Sequence, residues 1–130
     1  MSVPHTLEGF EVSAAVERML DQPTLWWQAV GLFVEHFSAW ELTWQGCIGD
    51  LAREKKAVHA LRSAAANIGA VALSSVAADL ESQLLRCLEG SSACVPDQLR
   101  IHLRESYRRT FQVAAEAWRS VQRPLEGRAC

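Results

Sequence analysis

Apolar residues recur three and four positions apart along most of the chain, which is the spacing of a helix face buried against a core. The clearest example is an aromatic-rich stripe with spacings of 4-3-4-3-4, formed by Trp26, Val30, Phe33, Phe37, Trp40 and Trp44. This regular spacing predicts the core-facing side of one long helix, in preference to a ligand-binding or stacking site for the tryptophans. The neighbouring Trp27 falls off the stripe, and we expect it to be partly exposed. No segment alternates apolar and polar residues over the length of a strand.

Four further helices follow from the same periodicity and from the positions of proline, glycine and capping residues. Their predicted ranges are 10–20, 51–68, 70–88 and 96–122. Asp21 or Gln22 caps the aromatic helix with Pro23 in its first turn, and Asp50 caps the helix that follows. Gly69 is placed to end that helix in a left-handed turn, where a residue without Cβ is favoured.

The short connection at Gly69 makes the two helices around it antiparallel neighbours. We therefore predict an all-α protein, an antiparallel four-helix bundle with a short extra N-terminal helix acting as a lid. The 130 residues are expected to form a single domain over 1–130, with a core over about 10–122. Pro124 and Gly127 are expected to end the ordered part, and both termini to be frayed.

Composition and charge exclude several classes of function. A net charge of −2 and a pI of about 6.1 provide no overall basic field for nucleic acid. No apolar run is long enough to span a membrane, and the N-terminus carries no secretion-type apolar segment, so we expect a cytoplasmic protein. The four cysteines form no C-x-x-C pair and do not cluster with histidines, which argues against structural zinc. We expect free thiols at all four positions, which are Cys47, Cys87, Cys94 and Cys130.

The helix predicted over 51–68 has one apolar and one polar face. The residues expected in the core are Val58, Leu61, Ala65 and Ile68; those on the opposite face are Lys55, Lys56, His59, Arg62, Ser63 and Ala66. An exposed imidazole has a neutral, nucleophilic fraction at physiological pH. Nearby cations would stabilise a phosphoryl group on the ring, and small neighbours would admit another protein's active site. By spacing alone, however, a histidine beside cations is usually an ordinary surface residue.

The segment 59–70 reads His-Ala-Leu-Arg-Ser-Ala-Ala-Ala-Asn-Ile-Gly-Ala. It resembles the histidine-containing phosphotransfer (HPt) domain family, whose pattern is His-x-Leu-Lys/Arg-Gly-Ser/Ala-Ser/Ala-x-x-Leu/Ile-Gly. The resemblance continues with Leu73 and with the Leu80-Glu81 pair. Upstream, the segment 49–51 and Phe10 are also similar to the family, so the resemblance covers most of residues 10–90.

The resemblance implies that His59 is the phosphoacceptor, that Arg62 helps to hold the phosphoryl group and that Gly69 is the turn glycine. Ser63 departs from the family pattern, which commonly has glycine there, and its hydroxyl is expected to contact the phosphoryl oxygens or to alter partner choice. The implied partner-binding surface comprises Lys55, Lys56, Ser63, Ala66, Gly69, Ser74, Ala78 and Glu81.

The function implied by the resemblance is relay of a phosphoryl group between receiver-domain aspartates in a two-component phosphorelay. Such a protein is a carrier without autokinase or ATP-binding activity, and the chain has no glycine-rich nucleotide loop. No cofactor is expected, since Mg²⁺ would lie on the partner receiver domain. The implied partners are response-regulator receiver domains and a hybrid sensor histidine kinase, and we expect a monomer.

Two other functions stay open at the level of sequence. The first is a helical adaptor that binds a receiver domain or sensor kinase without accepting phosphate. The second is a ligand-binding bundle that uses the tryptophan-rich core.

A row of arginines is spaced four residues apart, at Arg100, Arg104 and Arg108. Such a row suggests a patch that binds an anionic partner, but it is more often a solvated helix face. The other histidines are expected at ordinary surface or rim positions: His5, His36 and His102.

Overall fold

A computed structural model of the chain describes residues 3–90 and 95–128, with side chains as far as residue 121. Within these residues the chain is helical, which confirms the all-α class. The helices are α1 (Val12–Arg18), α2 (Pro23–His36), α3 (Trp40–Gln45), α4 (Leu51–Asn67), α5 (Val71–Leu88) and α6 (Asp97–Arg128). In the part of the chain described, no helix combines the length and hydrophobicity needed to cross a membrane.

One hydrophobic core lies between the longer helices. Helix α4 packs against α5, α5 against α6, α6 against α2, and α3 against α4, while α1 packs on α2. The aromatic stripe faces this core, as its spacing predicts: five of its residues are buried and Phe37 is half-buried. Two of the buried indoles have hydrogen-bond acceptors for their N–H groups. Trp26 Nε1 donates to the Ile68 carbonyl and Trp40 Nε1 to the Ala57 carbonyl, each at 2.9 Å.

The stripe does not form one long helix, and that prediction is wrong. Helix α2 ends at His36 and α3 begins at Trp40, with Phe37 as the C-cap of α2. In an unbroken helix the Phe37 carbonyl would accept a hydrogen bond from the amide four residues later. Here it accepts from the amide of Trp40 and from the hydroxyl of Tyr107 on α6. A tertiary hydrogen bond therefore satisfies the carbonyl at the break.

Trp27 is buried rather than partly exposed, with only 1% of its surface accessible. Its ring lies between Trp26 and Trp118, with centroid distances of 5.6 and 5.2 Å. Trp118 of α6 can approach this closely because α2 carries Gly31, where a Cβ would lie 2.5 Å from the indole. Helix α2 thus buries a second face against α6, which the single stripe does not reveal.

The N-terminal helix is shorter than predicted and is held by the turn between α4 and α5. Helix α1 ends at Arg18, so Leu20 lies in the following turn and is 78% exposed. Gly69 adopts the predicted left-handed conformation, with φ of +85°. Its carbonyl accepts a hydrogen bond from the amide of Glu11 at 2.8 Å, and a Cβ at this position would lie 2.8 Å from the Glu11 carbonyl oxygen.

Helix α6 continues to Arg128, past the end expected near residue 122. Pro124 removes one backbone hydrogen bond, to the carbonyl of Ser120, but its fixed φ is compatible with a helix. Ser120 is exposed, so water can satisfy that carbonyl.

Of the cysteines, Cys47 is a buried thiol and Cys87 a half-buried one; Cys94 and Cys130 lie outside the described residues.

The arginine row of α6 faces carboxylates of neighbouring helices, and of its members Arg108 is also exposed to solvent. Glu54 of α4 is completely buried, and Arg100 donates to its two carboxylate oxygens at 2.9 and 2.7 Å. The hydrogen bond to Glu54 raises the pKa of the Arg100 guanidinium. Arg108 likewise donates to both oxygens of Glu41 on α3, and this hydrogen bond lowers the pKa of the Glu41 carboxyl. Arg104, between them, lies 3.9 Å from the Glu41 carboxylate and 5.6 Å from the centroid of the Trp44 ring, so all three arginines join α6 to its neighbours.

Candidate functional site

His59 projects from α4 on the side opposite the core. The four residues predicted to enter the core are buried: Val58, Leu61, Ala65 and Ile68. The helical period therefore turns His59 outward, and 55% of its side chain is accessible. Asp50 begins the helix by accepting a hydrogen bond from the amide of Arg53, and this cap sets the register that places His59.

Glu81 of α5 faces His59 across the α4–α5 interface and contacts two side chains at once. Its Oε2 lies 2.6 Å from Nδ1 of His59, and its Oε1 accepts a hydrogen bond from Nε of Arg62. Only 16% of the Glu81 side chain is accessible, so this carboxylate is shielded beneath the imidazole and the guanidinium. The three residues form one charge-assisted network.

The network selects one tautomer of the imidazole. Nδ1 also lies 3.1 Å from Nη2 of Arg62, but a guanidinium can only donate and a carboxylate only accept. The short contact with Glu81 requires a proton on Nδ1, so the Arg62 approach is an electrostatic contact rather than a hydrogen bond. In the neutral ring the lone pair is then on Nε2, which makes no hydrogen bond to a described residue.

His59 lines an open groove of about 1000 Å³ between α4 and α5. Small side chains form most of its surface: Ala60, Ser63, Ala64, Ala66, Ser74, Ser75 and Ala78. Two arginines, Arg18 and Arg62, also line it, together with Asn67 and Val71, and no carboxylate does. The groove is therefore lined mainly by small side chains and carries positive charge, although the net charge of the chain is negative.

The structure brings most of the predicted site residues together. Four of the expected partner-binding positions line the groove beside His59 and Arg62: Ser63, Ala66, Ser74 and Ala78. Lys55 is half-buried and Lys56 exposed in the turn before His59, and neither forms an ion pair with a described residue. They flank the groove rather than line it.

Two of the predicted partner-binding residues have other positions. Gly69 is buried beneath the N-terminus of α1, so it is not part of an exposed surface; its left-handed turn is needed to reverse the chain. Glu81 is mostly shielded and bonds to His59 and Arg62, so it belongs to the histidine site itself.

Arg18 is the charged residue of the groove that the sequence analysis did not anticipate. It is the last residue of α1, and its Nη2 donates to the Ala66 carbonyl at 2.8 Å. A separation of 48 positions along the chain leaves no periodic signal that would connect the two. Within the described residues, no group of three or more histidine, cysteine, aspartate or glutamate side chains is arranged to hold a metal ion.

Comparison with known proteins gives one match. The family model described as Hpt domain matches residues 42–117, which include α4, α5 and the histidine site. The comparison with curated proteins and the comparison with solved structures each returned no match.

Proposed function

The chain belongs to the Hpt domain family, whose members carry phosphoryl groups on a histidine in phosphorelays, and we propose that His59 is the phosphoacceptor of this protein. The observation that carries the proposal is the exposed imidazole whose Nδ1 is bound by Glu81. This arrangement leaves the Nε2 lone pair for reaction, on a ring that lines a groove open to another protein. Nε2 is therefore the proposed nucleophile.

In the proposed step, Nε2 attacks the phosphorus of an aspartyl phosphate on a receiver domain. The N–P bond forms as the P–O bond to the aspartate breaks, and the aspartate leaves as a carboxylate with the electron pair of that bond. Positive charge develops on the imidazole because Nδ1 keeps its proton. The Glu81 carboxylate, at 2.6 Å from Nδ1, stabilises that charge and holds the ring in place. Transfer to a second receiver is the reverse of these events.

Arg62 has two proposed roles. Its Nε donates to the Glu81 oxygen that does not face His59, which holds the carboxylate in place. Its guanidinium also lies 3.1 Å from the imidazole, where its charge favours phosphoryl oxygens on the ring. Lys55 and Lys56, in the preceding turn of α4, add positive charge along the path by which an anionic group approaches. The Ser63 hydroxyl lines the groove one turn after His59 and is placed to contact either the phosphoryl oxygens or the partner.

The proposed partners are response-regulator receiver domains and a hybrid sensor histidine kinase. Hpt domains interact with receiver domains, and the small residues along the groove allow a partner backbone to approach His59 closely. The phosphoryl group arrives as an acyl phosphate, so the step requires no nucleotide on this chain, and Mg²⁺ would be bound by the receiver. The packing of α4 on α5, α5 on α6, α6 on α2 and α3 on α4 supports the antiparallel four-helix bundle as the scaffold. A single domain, a monomeric state and a cytoplasmic location stay predictions.

Phosphotransfer from a panel of phosphorylated receiver domains tests the proposal. Wild type, His59→Gln and His102→Gln are each mixed with the panel, and acid-labile phosphate on the chain is measured. His102 is an exposed histidine of α6, so its substitution controls for loss of a surface imidazole. We expect label on wild type and on His102→Gln, and none on His59→Gln.

Two results contradict the proposal. Label retained by His59→Gln would mean that another residue accepts the phosphoryl group. No label on wild type from any receiver, with receiver binding that survives His59→Gln, would favour the adaptor that binds without accepting phosphate.

A further inference from the structure

Arg18 is brought to the histidine groove from outside the α4–α5 pair. It ends α1, and its guanidinium crosses to α4 to donate to the Ala66 carbonyl at 2.8 Å. That carbonyl lies in the last turn of α4 and also accepts from the Gly69 amide at 3.2 Å. A positive charge is favourable at this end of a helix. The hydrogen bond therefore fixes the guanidinium at the edge of the groove and does not leave it to move freely on a surface helix.

No carboxylate among the described residues pairs with Arg18. Arg62, the other arginine of the groove, shares the carboxylate of Glu81. Arg18 forms no ion pair among the described residues, and the groove lining contains no aspartate or glutamate. One N–H group of a guanidinium with five is used on Ala66, which leaves donors for a second partner.

Arg18 lies too far along α4 to contact the reacting atoms. Ala66 is seven residues after His59, and a rise of 1.5 Å per residue separates them by about 10 Å along the helix axis. A phosphoryl group on Nε2 does not span that distance. A protein docked over His59 does, because the groove that would receive it extends from His59 to Arg18.

We propose that Arg18 is a docking residue that pairs with a surface carboxylate of the receiver domain seated in this groove, about 10 Å along α4 from His59. The inference rests on the proposed function of His59 and names a specificity contact for it. Charge complementarity favours a carboxylate as the partner of Arg18. An unpaired cation at the edge of an interface attracts an acidic group of the docked protein and repels a basic one. Arg18 therefore sets affinity and partner choice, while the chemical step remains with His59, Glu81 and Arg62.

The test uses the receiver that labels wild type, and measures the KM and kcat of phosphotransfer over a range of salt concentrations. Arg18→Gln retains a donor for the Ala66 carbonyl but removes the charge, Arg18→Lys retains the charge, and Arg18→Glu reverses it. Arg109→Glu is the matched control, since Arg109 is an exposed arginine of α6 on the other side of α5. Thermal unfolding of each variant separates a loss of stability from a loss of docking.

We expect Arg18→Glu to raise KM about tenfold with kcat unchanged, and to weaken the salt dependence of kcat/KM. Arg18→Gln should raise KM by a smaller factor, while Arg18→Lys and Arg109→Glu should remain within about twofold of wild type. An unchanged KM in Arg18→Glu and Arg18→Gln, with a lower Tm, would overturn the inference and leave Arg18 as a helix cap.

A fall in kcat at unchanged KM would also overturn it, because Arg18 would then act on the reaction itself. These outcomes all require that wild type accepts label. If wild type accepts none from any receiver, the proposed function fails first and this inference fails with it.

Discussion

The carboxylate of Glu81 determines the chemical state in which His59 is presented. One oxygen faces Nδ1 of the imidazole at 2.6 Å and the other accepts from Nε of Arg62, so Glu81 fixes the ring and the tautomer together. The sequence placed Glu81 on the surface facing a partner, but did not predict its contact with His59. The 22 positions between them span the whole α4–α5 turn, and the contact depends on how those helices are rotated.

Glu81→Gln should slow phosphorylation of His59 without unfolding the chain. The amide oxygen is expected to keep facing Arg62, which places the amide NH₂ against Nδ1. That NH₂ can only donate, so the proton moves to Nε2 and removes the lone pair needed for attack. Loss of a charge-assisted hydrogen bond of about 1.5–3 kcal/mol corresponds to a rate lower by roughly tenfold to a hundredfold.

The measurement is the initial rate of labelling, together with the imidazole tautomer read by nitrogen NMR. Glu105→Gln supplies the matched control, since Glu105 is an exposed glutamate of α6. A labelling rate equal to wild type, or an unchanged tautomer, would show that Glu81 does not hold the ring as described.

At the scale of the element, the aromatic stripe keeps its buried face although the helix that carries it is interrupted. The break between α2 and α3 leaves the Phe37 carbonyl to be satisfied by the Tyr107 hydroxyl from α6 and by the Trp40 amide. Tyr107 is buried, and burial, with a smaller contribution from the charge of Glu41, raises its pKa to about 12. Periodicity predicts which residues are buried. It does not predict that the Phe37 carbonyl accepts a hydrogen bond from a side chain of another helix.

Tyr107 is the single tyrosine of the chain, so phenolate absorbance reports this group alone. In the folded protein we expect it to ionise near 12, and in denaturant near 10, the value of an unperturbed tyrosine. A folded pKa above the unfolded one means that its stabilising contribution is complete below pH of about 10 and is lost as pH rises towards 12.

Tyr107→Phe should remove the part of the stability loss between pH of about 10 and 12 that comes from ionisation of this hydroxyl. Near neutral pH it should lower the free energy of unfolding by about 1 kcal/mol, because the hydrogen bond to Phe37 is missing. Chemical denaturation across this pH range measures both effects. If Tyr107 ionises at the same pH in the folded protein as in the denatured chain, its hydroxyl is not buried against the Phe37 carbonyl.

On the scale of the whole molecule, a buried ion pair ties together the helices at the end of the core remote from Gly69. Glu54 of α4 is fully buried and accepts two hydrogen bonds from Arg100 of α6 and one, at 3.0 Å, from the indole of Trp44 on α3. A buried charge is tolerated only where such partners satisfy it. The clamp therefore makes the packing of α3, α4 and α6 interdependent.

Arg100→Met should destabilise the fold by about 3–5 kcal/mol, because it leaves the Glu54 carboxylate buried without its counter-ion. The double variant Glu54→Gln with Arg100→Met should recover part of that loss, since the amide oxygen still accepts from Trp44 and no charge remains. Denaturant unfolding measures both, with Arg109→Met as the exposed control. A loss in Arg100→Met within about 0.5 kcal/mol of that control would contradict the clamp.

The sequence by itself determined the helical class, the buried stripe, the turn at Gly69 and the outward position of His59. These follow from local rules: helical periodicity, side-chain capping and the backbone freedom of glycine act over one or two turns. The motif beginning at His59 also carried the family resemblance, which the match to residues 42–117 confirmed.

Only the tertiary structure decided the contacts between segments distant along the chain. The break before Trp40 depends on Tyr107, the burial of Trp27 on Trp118 approaching Gly31, and the tautomer of His59 on Glu81. Arg18 reached the histidine groove across 48 positions. The physical reason is common to all four: hydrogen bonds and ring contacts require positions within a few ångströms, and helix packing sets those positions where periodicity does not.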